Sequence, residues 1–207
     1  MKQLFKAFFA LAIGAITLTS CNKEGESFDP YQQLELEKAQ IKEYVQKNYP
    51  NATQYEDSGL WFEIIEPGET NSYTYKVSEV SGQKIIDSKA TVKYRGKLVS
   101  NGTVFDQTEE GKNVDLRIAL DLNSGQGSVI QAWILSFLPK TIKINDKDEK
   151  IGILFQNGAQ TGSKFRIISP SLYAYGNYVQ GKIPANSPLD FYVEVIKMED
   201  YKPQSTN

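Results

Sequence analysis

The amino-acid sequence predicts an α+β fold in which a curved antiparallel sheet wraps around one short helix, with a further helix on the N-terminal side. Three observations support this class. Apolar residues recur at helical spacing over residues 31–47, and from Leu60 onward the apolar period changes to two, which is typical of strands. Within that strand-rich region only Val129–Leu138 has a helical pattern. A sheet of several strands buries its apolar face by packing on such a helix.

Residues 1–20 have the three-part pattern of an export signal. Lys2 and Lys6 precede the apolar stretch Phe8–Leu18, which is shorter than the roughly 20 residues that a membrane-spanning helix needs. The stretch ends in LTSC at Cys21, which resembles the lipobox of bacterial lipoproteins. The resemblance implies acylation of Cys21 and a lipid-anchored protein of the cell envelope, held at the outer membrane on its periplasmic or surface face. The alternative is an ordinary secretory signal followed by an unrelated cysteine.

The segment between the signal and the strands is predicted to be helical at 31–47. Leu34, Ile41 and Val45 form a thin apolar stripe along this helix. We expect the stripe to pack on the main domain, and a weak dimer through 31–47 is the alternative. The predicted organisation is a signal peptide at 1–20, a tether at 21–30, an N-terminal helical segment at 31–57, a main domain at 58–199 and a tail at 200–207.

Five segments of the main domain alternate between apolar and polar residues, as half-buried strands do. The clearest is Val114–Leu122, with an apolar side chain at every second position. The predicted strands are Leu60–Ile65, Ala90–Val99, Val114–Leu122, Phe165–Ile168 and Leu189–Ile196.

The composition excludes several kinds of chemistry. The chain has no histidine, which removes histidine-based nucleophile activation and the commonest zinc ligand. Its single cysteine excludes an internal disulfide and a cysteine-rich metal site. The formal net charge is −2 and no basic stripe is present, so we expect no nucleic-acid partner.

Three blocks of residues, in chain order, carry a resemblance to one family. The first is Val92–Leu98 (VKYRGKL) with Asn101–Asp106 (NGTVFD), and the second is Val129–Trp133 (VIQAW). The third is Ser169–Gly176 (SPSLYAYG) with Ile183–Val195 (IPANSPLDFYVEV). Together they resemble the strand, helix start, loop and closing strand of FKBP-type peptidyl-prolyl cis/trans isomerases.

The resemblance implies an FKBP-like fold and an isomerase, free of cofactor and metal, that acts on proline-containing polypeptides of the envelope. The barrier to rotation about the peptide bond before proline, about 18–20 kcal/mol, comes from amide resonance. A dry aromatic pocket that favours the twisted amide therefore suffices to catalyse the isomerisation. By resemblance, Trp133 lies under the proline ring, Tyr175 donates its hydroxyl to a substrate carbonyl, and Asp106 polarises the pocket. The implied walls and rim are Tyr94, Phe105, Val129, Ile130, Phe191 and Ile183.

Plainer interpretations remain open. An isolated aromatic residue is more often core packing, and a turn aspartate such as Asp106 often bonds its own backbone. The strand Val114–Leu122 is aliphatic where the family supplies phenylalanines, and no arginine follows Asp106 closely. The alternative functions are therefore a proline-binding module with little turnover, or a structural lipoprotein that assists envelope assembly.

Residues 139–160 are the largest departure from the family pattern, which crosses from helix to strand in a few residues. Within this insertion, Thr141–Ile144 and Ile151–Phe155 are predicted to pair as a hairpin around 145–148. The acidic residues of the turn lack the glycine and the closing glutamate of a calcium loop, so we expect a solvated turn. Because the flanking blocks already complete the family pattern, the insertion is expected to be dispensable for folding.

Overall fold

In the computed structural model, residues 28–203 are described. The helices of this part are α1 (Pro30–Asn48) and α2 (Gln131–Phe137). Its strands are β1 (Thr53–Gln54), β2 (Trp61–Glu66), β3 (Val77–Val80), β4 (Gln83–Leu98), β5 (Val104–Gln107), β6 (Val114–Asp121), β7 (Thr141–Ile144), β8 (Lys147–Lys150), β9 (Lys164–Ser169) and β10 (Leu189–Asp200). The predicted signal peptide and Cys21 lie outside the described residues.

The long strand β4 organises the main sheet, which is antiparallel throughout. Along one edge of β4, its first residues pair with β3 and its later residues pair with β10. Along the other edge, β6 pairs with the first half of the strand and β5 with its end. The sheet continues from β10 through β9 and β2 to β1. The pairing with β4 shifts register in β10 between Val195 and Lys197, and in β5 at Phe105, which is the extra residue opposite Gly96 and Lys97. Such bulges bend and twist strands, and they account for the curvature of the sheet.

The main core lies between α2 and one face of this sheet. Alternation along β9 places Phe165 and Ile167 on that face, and both are fully buried. The ring of Phe165 meets Phe137 of α2 edge-on, with centroids 5.4 Å apart. The predicted fold class, a curved antiparallel sheet around one short helix with a second helix preceding it, is confirmed.

The opposite face of the sheet is covered by α1. Asp29 caps this helix by accepting hydrogen bonds from the first backbone amides. Ile41 and Val45 are buried against Val99 and Ile168. The apolar stripe of the helix therefore packs on the domain, as expected, and a weak dimer through 31–47 stays a prediction.

A buried ion pair lies beneath the C-terminal end of α1. Asp190 is fully buried and accepts a hydrogen bond from Arg166 Nη1 at 2.6 Å. Its second carboxylate oxygen accepts the hydroxyls of Tyr44 at 2.8 Å and Tyr49 at 3.0 Å, and the Arg166 guanidinium stacks on the Tyr49 ring. Because every oxygen of this carboxylate has a donor, the cost of removing the charges from water is offset.

The insertion forms a shorter hairpin than predicted. Thr141–Ile144 pairs with Lys147–Lys150, so the predicted pairing with Ile151–Phe155 is wrong. The physical reason is the turn at Asn145 and Asp146, whose φ angles of 51° and 63° close a two-residue connection. The residues that follow turn inward, and Ile153, Leu154 and Phe155 join the main core instead. The expectation that the whole insertion is dispensable therefore does not fit its second half.

Candidate functional site

Trp133 lies at the base of the candidate site. It sits in the first turn of α2, where its backbone amide donates to the Ile130 carbonyl at 3.0 Å. Only 6% of the residue is exposed, and its indole N–H is buried with no hydrogen-bond partner in the structure.

Two aromatic residues contact the Trp133 ring, and a third, from another strand, extends the cluster. Tyr94 of β4 and Phe191 of β10 each meet the indole edge-on, both with centroids 5.4 Å away. Phe105 of β5 in turn meets Phe191 edge-on at 5.7 Å. Edge-to-face pairs contribute about 0.5–1.5 kcal/mol each beyond their burial, so the arrangement holds its own shape. We call Tyr94, Phe105, Trp133 and Phe191 the aromatic cup.

Gly96 determines where the Phe105 ring lies. A Cβ atom at position 96 would stand no more than 3.1 Å from three carbons of that ring. The ring therefore rests directly on the backbone of β4, in space that only glycine leaves free. The glycine in the VKYRGKL block shapes the cup although it contributes no side chain.

Asp106 forms the polar edge of the cup. Its carboxylate accepts the hydroxyl of Tyr94 from the neighbouring strand. Burial, together with this hydrogen bond and the Asp106 charge, raises the pKa of Tyr94, so the hydroxyl stays protonated and acts as a donor. Among the described residues the carboxylate bonds a side chain rather than its own backbone. Tyr94 therefore gives this carboxylate a hydrogen-bond donor, although no arginine follows Asp106 closely in the sequence.

Tyr175 reaches the same edge from the loop after β9. The amides of its neighbours, Ala174 and Gly176, both donate to the Ser171 carbonyl at 2.8 Å, which fixes the backbone on either side of it. Burial and the nearby Asp106 charge raise the pKa of Tyr175. Within residues 28–203 its hydroxyl has no hydrogen-bond partner, so it is available to donate to a ligand.

The remaining candidate residues share the cluster to which the cup belongs. Val129 and Ile130 immediately precede α2 and are half-buried against this core. Ile183 is 5% exposed and closes a tight turn with Gln180 through two backbone hydrogen bonds of 2.9 Å. Eight of the nine sequence-predicted residues belong to the main core cluster, and the ninth, Asp106, is hydrogen-bonded to Tyr94. Their role as one substrate site stays a prediction.

Two residues that shape this region were missed by sequence reasoning. Gly96 lies in the VKYRGKL block, but nothing in the sequence indicates that its missing side chain makes room for the Phe105 ring. Glu37 of α1 is buried, and it occupies the missing position of the apolar stripe, three residues after Leu34 and four before Ile41. That spacing was the available signal, because it places the carboxylate on the buried face.

The part of the chain that the structure describes contains neither a metal-ligand cluster nor a membrane-spanning helix. No three side chains of residues 28–203 are grouped as metal ligands. No helix in this range has both the length and the apolar character needed to cross a bilayer.

Comparison with known families decides the identity of the domain. The family model described as FKBP-type peptidyl-prolyl cis-trans isomerase matches residues 82–196. The chain belongs to this family. Among its relatives is FK506-binding protein 4 of Aspergillus fumigatus, 32% identical over 146 residues, which are 65% of this chain and 24% of the relative. FK506-binding protein 3 of Kluyveromyces lactis is 34% identical over 112 residues, 54% of this chain and 21% of the relative. The chain thus spans no more than about a quarter of these relatives.

Solved structures share the FKBP fold. A peptidyl-prolyl cis-trans isomerase from Pseudomonas syringae is 22% identical with a TM-score of 0.50, over 85% of this chain and 100% of that one. FkpA from Escherichia coli is also 22% identical with a TM-score of 0.50, over 83% of this chain and 63% of that one. The likeness covers more of this chain than the family model does, and it supports the FKBP fold alone.

Proposed function

We propose that this FKBP-family protein is a peptidyl-prolyl cis/trans isomerase that binds proline in the aromatic cup. The observation that carries the proposal is the contact of Tyr94 and Phe191 with one buried indole, Trp133. Near Asp106 of the same site lies Tyr175, whose hydroxyl has no partner among residues 28–203. Membership of the family supports the same activity. The reaction needs neither a nucleophile nor a general base, so an aromatic site of this kind suffices.

The chemistry follows from the polarity of the cup. A proline ring placed on Trp133 puts its preceding amide bond among aromatic walls that exclude water. Twisting that bond removes the charge separation of the planar amide, so a dry site favours the twisted form over both planar isomers. Lowering the barrier to cis/trans isomerisation by about 5–8 kcal/mol accelerates the reaction on the order of 10⁴–10⁶-fold.

Two tyrosines assist in different ways. The Tyr175 hydroxyl donates to a carbonyl of the substrate and orients the chain across the cup. Tyr94 remains hydrogen-bonded to Asp106, which holds its ring upright against Trp133 and keeps the carboxylate at the edge of the site.

We infer that the substrates are exported polypeptides of the cell envelope. The support is the export-signal pattern of residues 1–20 and the single cysteine that follows it. Acylation of Cys21 with two or more chains gives durable anchoring, since each buried CH₂ contributes about 0.8 kcal/mol. The isomerase then works at the membrane surface.

An isomerisation assay tests the activity. Uncatalysed conversion of a peptide with an apolar residue before proline takes tens of seconds, so acceleration by the protein is readily measured. Phe105→Ala and Tyr175→Phe should both slow it, the second by roughly tenfold or less because one neutral hydrogen bond is lost. Tyr178→Phe is the matched control, since Tyr178 lies on the same loop and is 74% exposed.

A binding module with little turnover is the second candidate. It is favoured by the aliphatic wall of β6, where Leu116 and Leu120 pack against the core in place of aromatic residues. Binding of a macrolide that fills FKBP pockets, with no acceleration of isomerisation, would decide for this candidate. Co-purification with a stable envelope complex would decide for a role in envelope assembly.

The anchor has its own test. Cys21→Ala removes the thiol that carries the lipid, so the protein should move from the membrane pellet to the soluble fraction after cell lysis. Ser20→Ala keeps the cysteine and should remain in the pellet. A Cys21→Ala protein that still sediments with the envelope would refute the lipoprotein proposal.

A further inference from the structure

One buried carboxylate of α1 has no role in the aromatic cup. Glu37 is 2% exposed and lies on the apolar stripe between Leu34 and Ile41. It accepts hydrogen bonds from Gln33 Nε2 at 2.8 Å and from both the backbone amide and the hydroxyl of Ser171, at 2.6 and 2.7 Å. A carboxylate without water needs such donors to be tolerated, and two of the three belong to one residue of a distant loop.

Ser171 connects this carboxylate to the candidate site. Its two donors are both directed at Glu37, while its carbonyl accepts the amides of Ala174 and Gly176. Those amides flank Tyr175, the residue that offers a free hydroxyl to the substrate. A single residue, itself 3% exposed, therefore carries hydrogen bonds from α1 to both sides of Tyr175.

We propose that Glu37 is a positioning residue for the isomerase site, because it fixes Ser171 and through it the placement of the Tyr175 hydroxyl. The proposal rests on the proposed function, in which that hydroxyl contacts the substrate. Glu37 lies outside residues 82–196, which the family model matches. The loop that carries Tyr175 is therefore positioned by a helix that lies outside the matched region.

The physical basis is the steep dependence of catalysis on geometry. A donor contributes only when it lies close to its productive position, and because the Tyr175 hydroxyl is worth roughly tenfold or less, its misplacement can cost up to that factor. The loop from Leu172 to Lys182 has two largely exposed residues at its tip, Tyr178 and Val179. It is restrained at its base by Ser171 and further along by Gly176, whose carbonyl accepts the Asn186 amide at 2.8 Å. Glu37 supplies charge-assisted hydrogen bonds at that base, which are stronger than neutral ones.

A double-mutant cycle tests the proposal. Glu37→Gln keeps the volume but leaves one acceptor oxygen for the two Ser171 donors, and kcat/KM should fall roughly three- to tenfold. In a Tyr175→Phe background the same substitution should cause almost no further loss, because the hydroxyl that it positions is already absent. Losses that simply add would overturn the proposal.

Two further variants separate positioning from general loosening of α1. Ile41→Val lies on the same buried face and does not touch Ser171, so it should lower stability while kcat/KM stays at the wild-type value. Ser171→Ala keeps the backbone donor and should cause a smaller fall than Glu37→Gln. Equal losses of kcat/KM in Ile41→Val and Glu37→Gln would show a merely structural role.

Amide hydrogen exchange gives a readout that does not depend on catalysis. Exchange at Ala174 and Gly176 should accelerate in Glu37→Gln and stay unchanged in Ile41→Val. If the wild-type protein fails to isomerise but this exchange pattern is seen, the proposed function is wrong while the control of the loop by Glu37 stands. Unchanged exchange in Glu37→Gln would refute the inference whatever the activity.

Discussion

Gly96 is the residue on which the outer wall of the cup depends. We predict that Gly96→Ala lowers the free energy of unfolding by about 1–3 kcal/mol, the usual cost of overpacking, because the new methyl group collides with the Phe105 ring. The displaced ring should also reduce isomerase activity. Chemical denaturation and the peptide assay measure the two effects.

A second substitution separates the collision from a general weakness of the strand. In the double variant Gly96→Ala with Phe105→Leu, the smaller side chain relieves the collision, so stability should recover while activity stays low. No recovery would show that the alanine disturbs β4 itself rather than the ring.

At the scale of residues, the sequence predicted the side chains that form the site better than the residues that hold those side chains in position. Trp133, Tyr94 and Phe191 were recognisable because each falls in a motif with a fixed place on a strand or helix. The contact of Glu37 with Ser171 was not recognisable, since it joins residues that are far apart in the chain and depends on how α1 docks. Long-range placement of this kind is a property of packing and leaves no local pattern.

At the scale of elements, the insertion combines a dispensable hairpin with a structural core segment. We predict that replacing residues 143–148 by Asn-Gly, between the paired residues Ile142 and Glu149, changes the free energy of unfolding by less than about 1 kcal/mol, because shortening an exposed connection has little effect. Phe155→Ala should instead cost about 3–5 kcal/mol, as a fully packed ring is lost. Urea denaturation of both variants checks this, and comparable losses would contradict the division.

Element boundaries show why part of the topology escaped sequence analysis. β4 begins at Gln83, seven residues before the predicted strand at Ala90. Its first residues alternate weakly, since Asp87 and Ser88 interrupt the apolar period. Their strand conformation is imposed by pairing with β3 and β6 on both edges, and such tertiary support overrides local propensity. β6, whose pattern is strictly alternating, was predicted to within one residue.

At the scale of the whole molecule, buried tyrosines make stability sensitive to alkaline pH. Burial, aided by neighbouring carboxylates or tyrosines, raises the pKa of Tyr44, Tyr73, Tyr75 and Tyr94. In the unfolded chain these groups ionise near pH 10, while in the folded protein they keep their protons. Ionisation therefore favours unfolding, and we predict that the stability these tyrosines contribute is fully present below about pH 10 and falls as the pH rises further.

Urea midpoints measured between pH 8 and pH 11 test this dependence. Tyr75→Phe removes one of the responsible hydroxyls, which donates to the Ala159 carbonyl, so its decline should be shallower than that of the wild type. Tyr178→Phe alters an exposed ring and should leave the slope unchanged. A wild-type midpoint that stays level up to pH 11 would contradict the prediction.

If Cys21 is acylated as proposed, the docking of α1 on the back of the sheet limits the distance between the domain and the bilayer. Eight residues, 22–29, separate Cys21 from the first residue of α1, Pro30. Fully stretched, eight residues reach about 26–29 Å, roughly the thickness of the hydrocarbon layer itself. An acylated Cys21 would therefore keep the isomerase domain within this distance of the bilayer surface. The domain would then reach only those polypeptides that are still close to the membrane they have crossed.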